Sequence, residues 1–454
     1  MTFANKTIFF LICTCLIVST LLYGTVHQPT IALFYFFVAL MLLLWAYDSF
    51  AGGELRISRH VLQIPLFTMS LYGFVQIIPF GTLADSSGIS GIPQTISAAP
   101  FETQLTALHY LSLAIFFSIS LVYLNSAARL SKLVNVIAIF GFAFAFFAIL
   151  QSFLSPGKIY GIYERFGASP FGSFVSRHNF AAFMEMTLSL PLGLLFVGAV
   201  KKDKKLLYIT AITLMGVALL LSGSRGGFVA MLAEIVLLIF VTTRSKGAKN
   251  IALKVALALV LMGAVVVGAI SVGGESSLTR IAETAASKDV TTDRTHIWGI
   301  TLKVIAHNMP LGAGLGAFGQ AYTQFDDFSG LERVEQAHND YLQVLADAGL
   351  VGAVIGGLFL FWLFQTGRRN IKTTNTFRRG IAVGSLAGIF AILVHSMFDF
   401  VVHTTAISLM FLLLLALLTA SGREYEDDEK EEVQERRRRS AASVTPISAR
   451  RSNA

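Results

Sequence analysis

Apolar runs of about 17 to 23 residues recur along this 454-residue chain, and that is the length an α-helix needs to cross roughly 30 Å of hydrocarbon. They lie near 7–23, 30–47, 61–79, 105–124, 133–154, 179–200, 206–221, 228–242, 251–271, 340–366, 380–398 and 404–420. With 54% hydrophobic and 14% charged residues, the chain has too few charges to clothe a soluble protein. The expected fold is an all-α polytopic membrane protein of about 12 transmembrane helices. It divides into transmembrane helices 1–9 (1–271), a large exterior loop with an interfacial helix (272–339), helices 10–12 (340–420) and a charged, disordered tail (421–454).

The net charge of +8 reads as topology and contact with membrane lipids, with no nucleic-acid partner implied. With the N-terminus taken as cytoplasmic, the inner links hold Arg56 and Arg59, Arg129 and Lys132, Lys201 to Lys205, Arg244 to Lys249, and Arg368 to Arg379. The first, second and last outer links carry no Lys or Arg. Both termini are therefore expected in the cytoplasm, and the first span reads as a signal-anchor helix. Cys13 and Cys15 sit two residues apart inside that span and suggest no disulfide. The tail after 421 turns from acidic to RRRR and lacks the apolar residues to fold alone.

Cations that run against the topology bias are the better candidates for function: Lys158, Arg165 and Arg177, then Arg225, then those of the large loop. Arg225 lies in SGSRGG between two spans, where its charge needs an anion or water and the glycines permit a sharp turn. In DRTHIWGITLKVIAHNMP, Arg294, Trp298 and Thr301 share one helical face. Ile297, Leu302, Val304 and Ile305 supply an apolar side, Thr292 or Asp293 a cap, and Pro310 a stop, as suits a helix at the interface.

Gly314 and Gly316 in PLGAGLGAF have no βαβ context and point to close helix or headgroup packing. His338, opening the tenth span, is a plausible base because a neutral imidazole accepts protons near neutral pH. Asn339 and Asp340 can cap that helix or orient the ring. Arg177 and His178, with Glu185 nearby, add a polar patch at the same outer level. His395, Asp399 and His403 repeat every fourth residue, more as a hydrogen-bonded turn than as a zinc site. Arginines and one histidine beside apolar grooves suit a lipid-tailed substrate with an anionic phosphate head.

The ordered set SGSRGG, DRTHIW, PLGAGLGAF and AHNDYLQVLADAGLVG resembles the O-antigen ligase family, which includes Wzy-like polymerases and certain protein O-oligosaccharyltransferases. The resemblance implies a GT-C-like glycosyltransferase of the bacterial inner membrane that uses an undecaprenyl-diphosphate-linked glycan donor. By the same resemblance it would need no cofactor and no metal. The acceptor is a glycan, a lipid A core or a protein hydroxyl. Arg225 and Arg294 would hold the diphosphate, and His338 would activate or position the acceptor. Arg177, His178, Trp298, Gly314, Gly316, Asn339 and Asp340 complete the expected substrate-binding set. The rival classes are a lipid-linked saccharide transporter, favoured by mid-span polar residues, and a noncatalytic assembly scaffold.

Overall fold

Side-chain oxygens that accept the first free backbone N–H groups set many of the helix starts. Thr2, Ser126, Ser176, Asn339 and Asn375 each do so. Glycines in the left-handed region, Gly53 and Gly198, close two helix ends. The computed structural model describes residues 2–82, 91–165, 167, 169–243, 248–271, 279, 294–326 and 334–423.

The first nine helices are α1 (Phe3–Leu21), α2 (Gln28–Gly52), α3 (Gln63–Gln76), α4 (Pro100–Tyr123), α5 (Ala127–Leu154), α6 (Arg177–Val197), α7 (Lys205–Leu221), α8 (Arg225–Thr243) and α9 (Ala248–Ser271). Two short loop helices follow, α10 (Arg294–Asn308) and α11 (Phe318–Tyr322). Then come α12 (Asp340–Asn370), α13 (Thr376–His395) and α14 (Thr405–Ser421). Between α3 and α4, β1 (Gly81–Thr82) pairs antiparallel with β2 (Pro93–Gln94).

Among the described residues, ten helices are long and apolar enough to cross a membrane, which bears out an all-α polytopic membrane protein. Two expected spans lie outside those ten: α3 has 14 residues, shorter than the 61–79 expected, and α14 has 17, the length expected. The expectation that the tenth span ends before GRRN is overturned, since α12 continues helically to Asn370. It is also broken at Gly349 (φ 57, ψ −147), where a Cβ would lie 2.2 Å from the Pro310 carbonyl oxygen. Only glycine allows that approach. The tail from 424 on, most of 272–293 and the expected cap at Thr292 or Asp293 lie outside the described residues.

All 17 residues of α14 are buried. A helix apolar on every side belongs in the interior of a bundle, so α14 is its axis. Around it, α6 is buried along nearly its whole length and meets α13 at Gly193 and Gly384. A Cβ on Gly193 would stand 2.4 Å from the Gly384 backbone, the close approach that small residues provide between membrane helices. At the periphery, α2 and α9 expose Phe36, Leu43, Leu259 and Val260. A second, smaller core joins α10, α11 and the start of α12 through Ile300, Val304, Phe318, Tyr322 and Ala346. The loop helix thus docks on protein, with Thr301 inside and Leu302 57% exposed, the reverse of the faces expected for those two residues.

Candidate active site

The turn 396–404 between α13 and α14 carries Asp399, and the site is built on this one carboxylate. Backbone bonds from the Phe398 and Asp399 N–H groups to the His395 carbonyl, at 2.8 and 3.1 Å, continue the end of α13 and aim the side chain. Asp399 Oδ1 accepts from the Phe400 N–H at 2.9 Å and faces His338 Nδ1 at 3.2 Å. Its Oδ2 accepts from Arg294 at 3.1 Å, and a second guanidinium nitrogen of Arg294 donates to the Phe398 carbonyl. His178 Nδ1 lies 3.6 Å from Oδ2 but hydrogen-bonds Ser224 Oγ, at 3.0 Å. The carboxylate is 4% exposed. Burial alone pushes an acid upward, but the His338 hydrogen bond and the charges of His178 and Arg294 outweigh it and hold Asp399 well below the usual carboxylate range. Its contribution to stability is therefore complete above the ordinary Asp value, about 3.9, and is lost only as pH falls through the depressed folded value.

His338 reaches this position with φ 50, a left-handed backbone that a non-glycine residue adopts at a cost of about 1–3 kcal/mol. The surrounding bonds sustain it. Trp298 Nε1 donates to the Ala337 carbonyl at 3.1 Å. Asn339 Oδ1 caps α12 by accepting from Tyr341 and Leu342, while its Nδ2 donates to the Met397 carbonyl at 2.9 Å. The Phe400 ring lies edge-on to His338 at 4.8 Å. With Nδ1 held by Asp399, Nε2 is the nitrogen left to face a reactant.

The SGSRGG turn presses on the same region. Gly223 takes φ +65, and Ser224 Oγ accepts from the Gly227 N–H at 3.3 Å. A Cβ on Gly226 would stand 2.8 Å from the His395 ring and one on Gly227 2.6 Å from Ala181. The glycines thus seat the first turn of α8, with Arg225 at its head, against His395 and Ala181, and a Cβ on Gly226 would stand 3.6 Å from Phe398 Cβ, next to Asp399 in the chain. Arg177 opens α6 next to His178, its N–H bonded to the Ser169 carbonyl at 2.8 Å.

Other expected site residues are taken up by protein. Asp340 Oδ1 binds His403 Nδ1 at 2.9 Å. Gly314 and Gly316 are folded onto α4 and the middle of α12. Their N–H groups bond the Asp347 carbonyl at 2.9 Å and Asp347 Oδ2 at 3.1 Å. Side chains there would strike Ser97 and Thr106, at 2.3 Å in each case. Gln76, at the end of α3, stitches this loop by accepting from Leu315 and donating to the Leu311 and Asp347 carbonyls. The pair is spent on close packing, as the lack of a βαβ context suggested.

His395, Asp399 and His403 do not share a ligand. His395 Nδ1 binds Glu185 at 3.1 and 3.2 Å with both side chains fully buried. Asp399 serves the site, and His403 serves Asp340. Two roles had no clear signal in sequence: Asp399 as the hub, since its side-chain partners come from three separate segments, and the buried Glu185–His395 pair. For His403, burial lowers the pKa but the hydrogen bond and charge of Asp340, aided by Asp347, outweigh it and raise it. A raised histidine stabilises fully below its unfolded value, about 6.5, and that contribution is lost as pH rises through the folded value. Resistance to thermal unfolding should accordingly fall as pH climbs from about 6 to about 9, and His403→Gln should flatten the slope; an unchanged slope would refute the pairing.

A family model described as O-antigen ligase matches residues 210–357, which takes in Arg225, Arg294, Trp298, Gly314, Gly316, His338, Asn339 and Asp340. His178, Glu185, His395, Asp399 and His403 lie outside that stretch, yet the fold brings His178 and Asp399 to Arg294 and His338. No curated protein matches the chain.

Proposed function

Starting from a chain that carries the O-antigen ligase family domain, a membrane enzyme of the glycan-transferring type, we propose that it moves a glycan from a polyprenyl diphosphate, of the undecaprenyl kind, to an acceptor hydroxyl. The observation that carries this reading is the meeting of Arg294 and His338 on Asp399, at 3.1 and 3.2 Å. In the proposed step His338 Nε2 takes the acceptor proton as the oxygen forms its bond to the anomeric carbon. The bond from that carbon to the diphosphate breaks, and the electron pair leaves on the diphosphate. Arg225 and Arg294 stabilise the charge that develops there. Arg294 spends two nitrogens on Asp399 and Phe398, and a guanidinium with five donors still has some to offer. Its anchoring makes it a fixed dipole that needs no reorganisation when charge develops.

Arg177 and His178, which open α6, are assigned to the donor or acceptor. Trp298 and Asn339 act through His338, as positioning residues. The proposed setting is the bacterial inner membrane with both termini inside, consistent with basic links at the end of the bundle opposite Asp399. No step calls on a metal: the charge work is assigned to arginines.

Product mass decides the acceptor. Purified enzyme given undecaprenyl-diphosphate glycan with core lipid, a second lipid-linked repeat unit and a peptide should yield one dominant product, identifying ligation, polymerisation or protein glycosylation. Absence of all three products from folded protein would overturn the proposal.

A carrier reading has one observation in its favour. Glu234, fully buried in α8, has no hydrogen-bond partner among the described residues on either carboxylate oxygen, and intramembrane acids commonly line transport paths. If Glu234→Gln protein retains transfer between supplied substrates in detergent, where no gradient exists, the carrier reading falls.

A further inference from the structure

The end of the bundle away from Asp399 holds a second, unassigned cavity. Helix α6 starts at the site with His178 and ends at this cavity with Leu195, Phe196 and Gly198, about 30 Å along its axis. Helix α8 likewise runs from Arg225 to Thr242, and α13 from the cavity at Arg379 up to His395. The cavity is about 370 Å³, and three of its lining residues are cations, one each from α7, α9 and α13: Lys205, Lys254 and Arg379. No carboxylate is among its lining residues. Lys254 Nζ is steadied at 2.8 Å by the Thr242 carbonyl, and Arg379 Nε is buried with no hydrogen-bond partner among the described residues. Phe196, Leu195 and Leu257 make up its apolar wall. That wall opens onto the outside of the bundle at Leu253, which is 69% exposed, with Leu206 and Leu207 of α7 exposed beside Lys205.

Cations from three helices converge on one hollow, a setting that attracts an anion, and the apolar exit suits a hydrocarbon tail. We propose that this cavity binds the phosphate headgroup of an anionic phospholipid, with Arg379 and Lys254 on the phosphate, Lys205 at the rim and an acyl chain along the exposed apolar surface of α9. Basic pockets between membrane helices on the side of the Lys- and Arg-rich links are where anionic headgroups are held, and Arg presents a fork matched to phosphate oxygens. The bound lipid would tie α7, α9 and α13 together at the end opposite the active site. It is independent of the transfer reaction.

The test is lipid retention by the full chain in detergent, read by native mass spectrometry with dioleoyl phosphatidylglycerol, dioleoyl phosphatidylcholine or inorganic phosphate added. The wild type should retain phosphatidylglycerol selectively, and phosphate should fail to displace it. Arg379→Gln and Lys205→Gln should each weaken retention about fivefold, and Arg379→Lys should recover part of it. Lys205 is solvent-exposed, so its substitution tests the site even if Arg379→Gln fails to fold. Equal retention of phosphatidylcholine, or a Lys205→Gln protein that holds phosphatidylglycerol as the wild type does, would overturn the proposal. Displacement by inorganic phosphate would reduce the site to a free-anion site and overturn the lipid assignment.

Discussion

His338→Ala protein should reach the membrane at normal levels and lose glycan transfer by about 10²–10⁴-fold, the usual contribution of a positioned general base. Asp399→Asn should fall nearly as far, because an amide cannot carry the negative charge that holds His338 Nδ1 at 3.2 Å and Arg294 at 3.1 Å. The double variant should be little worse than His338→Ala alone, since groups acting as one unit lose their effect together. Arg294→Lys should also fail: one ammonium cannot bridge Asp399 and the Phe398 carbonyl as the guanidinium does. The measurement is turnover of lipid-linked glycan by purified protein, with membrane expression as the control. A His338→Ala enzyme at wild-type rate would remove the proposed mechanism at its centre.

Glu185→Ala should cost about 3–5 kcal/mol of stability, because it strands a buried imidazole without its carboxylate partner. Both side chains are fully buried, with His395 Nδ1 at 3.1 and 3.2 Å from the two carboxylate oxygens. His395 also forms the surface against which Gly226 packs, so its loosening should reach the turn that carries Arg225. Thermal unfolding in detergent measures the loss. The Glu185→Ala/His395→Ala double variant should cost much less than the sum of the singles. Unfolding of Glu185→Ala at the wild-type temperature would show that the pair contributes nothing.

Most of the helical frame was legible because apolar runs of membrane length leave a chain few alternatives. The misjudged boundaries fall where local pattern and packing part. Thr301 shares a helical face with Arg294 and Trp298, as its spacing predicts, but Thr301 itself is buried, where α10 packs on Tyr322 of α11 and Ala346 of α12. Leu302 is apolar and still ends outside. Pattern identifies faces; only the neighbour decides which one is covered. Arg294 and His338 were legible as candidates from their setting in a polar loop. Asp399 as their common anchor was not, because a carboxylate in a short turn looks the same whether it closes that turn or gathers side chains from α6, α10 and the start of α12. Glu185 was visible as a polar residue near the outer level, and its depth became evident only once α6 was enclosed.

Helix α14 follows the other described helices in the chain, yet every one of its residues is buried. A chain halted before Thr405 would leave a shaft down the middle of the bundle, with α6 and α13 facing a void. Closing that shaft also latches the far end, where Arg423 donates to the Leu121 carbonyl at 2.8 Å and accepts from Arg378 at its own carbonyl. Loss of α14 should therefore uncover apolar faces of α6 and α13 that the intact bundle keeps from lipid and water alike.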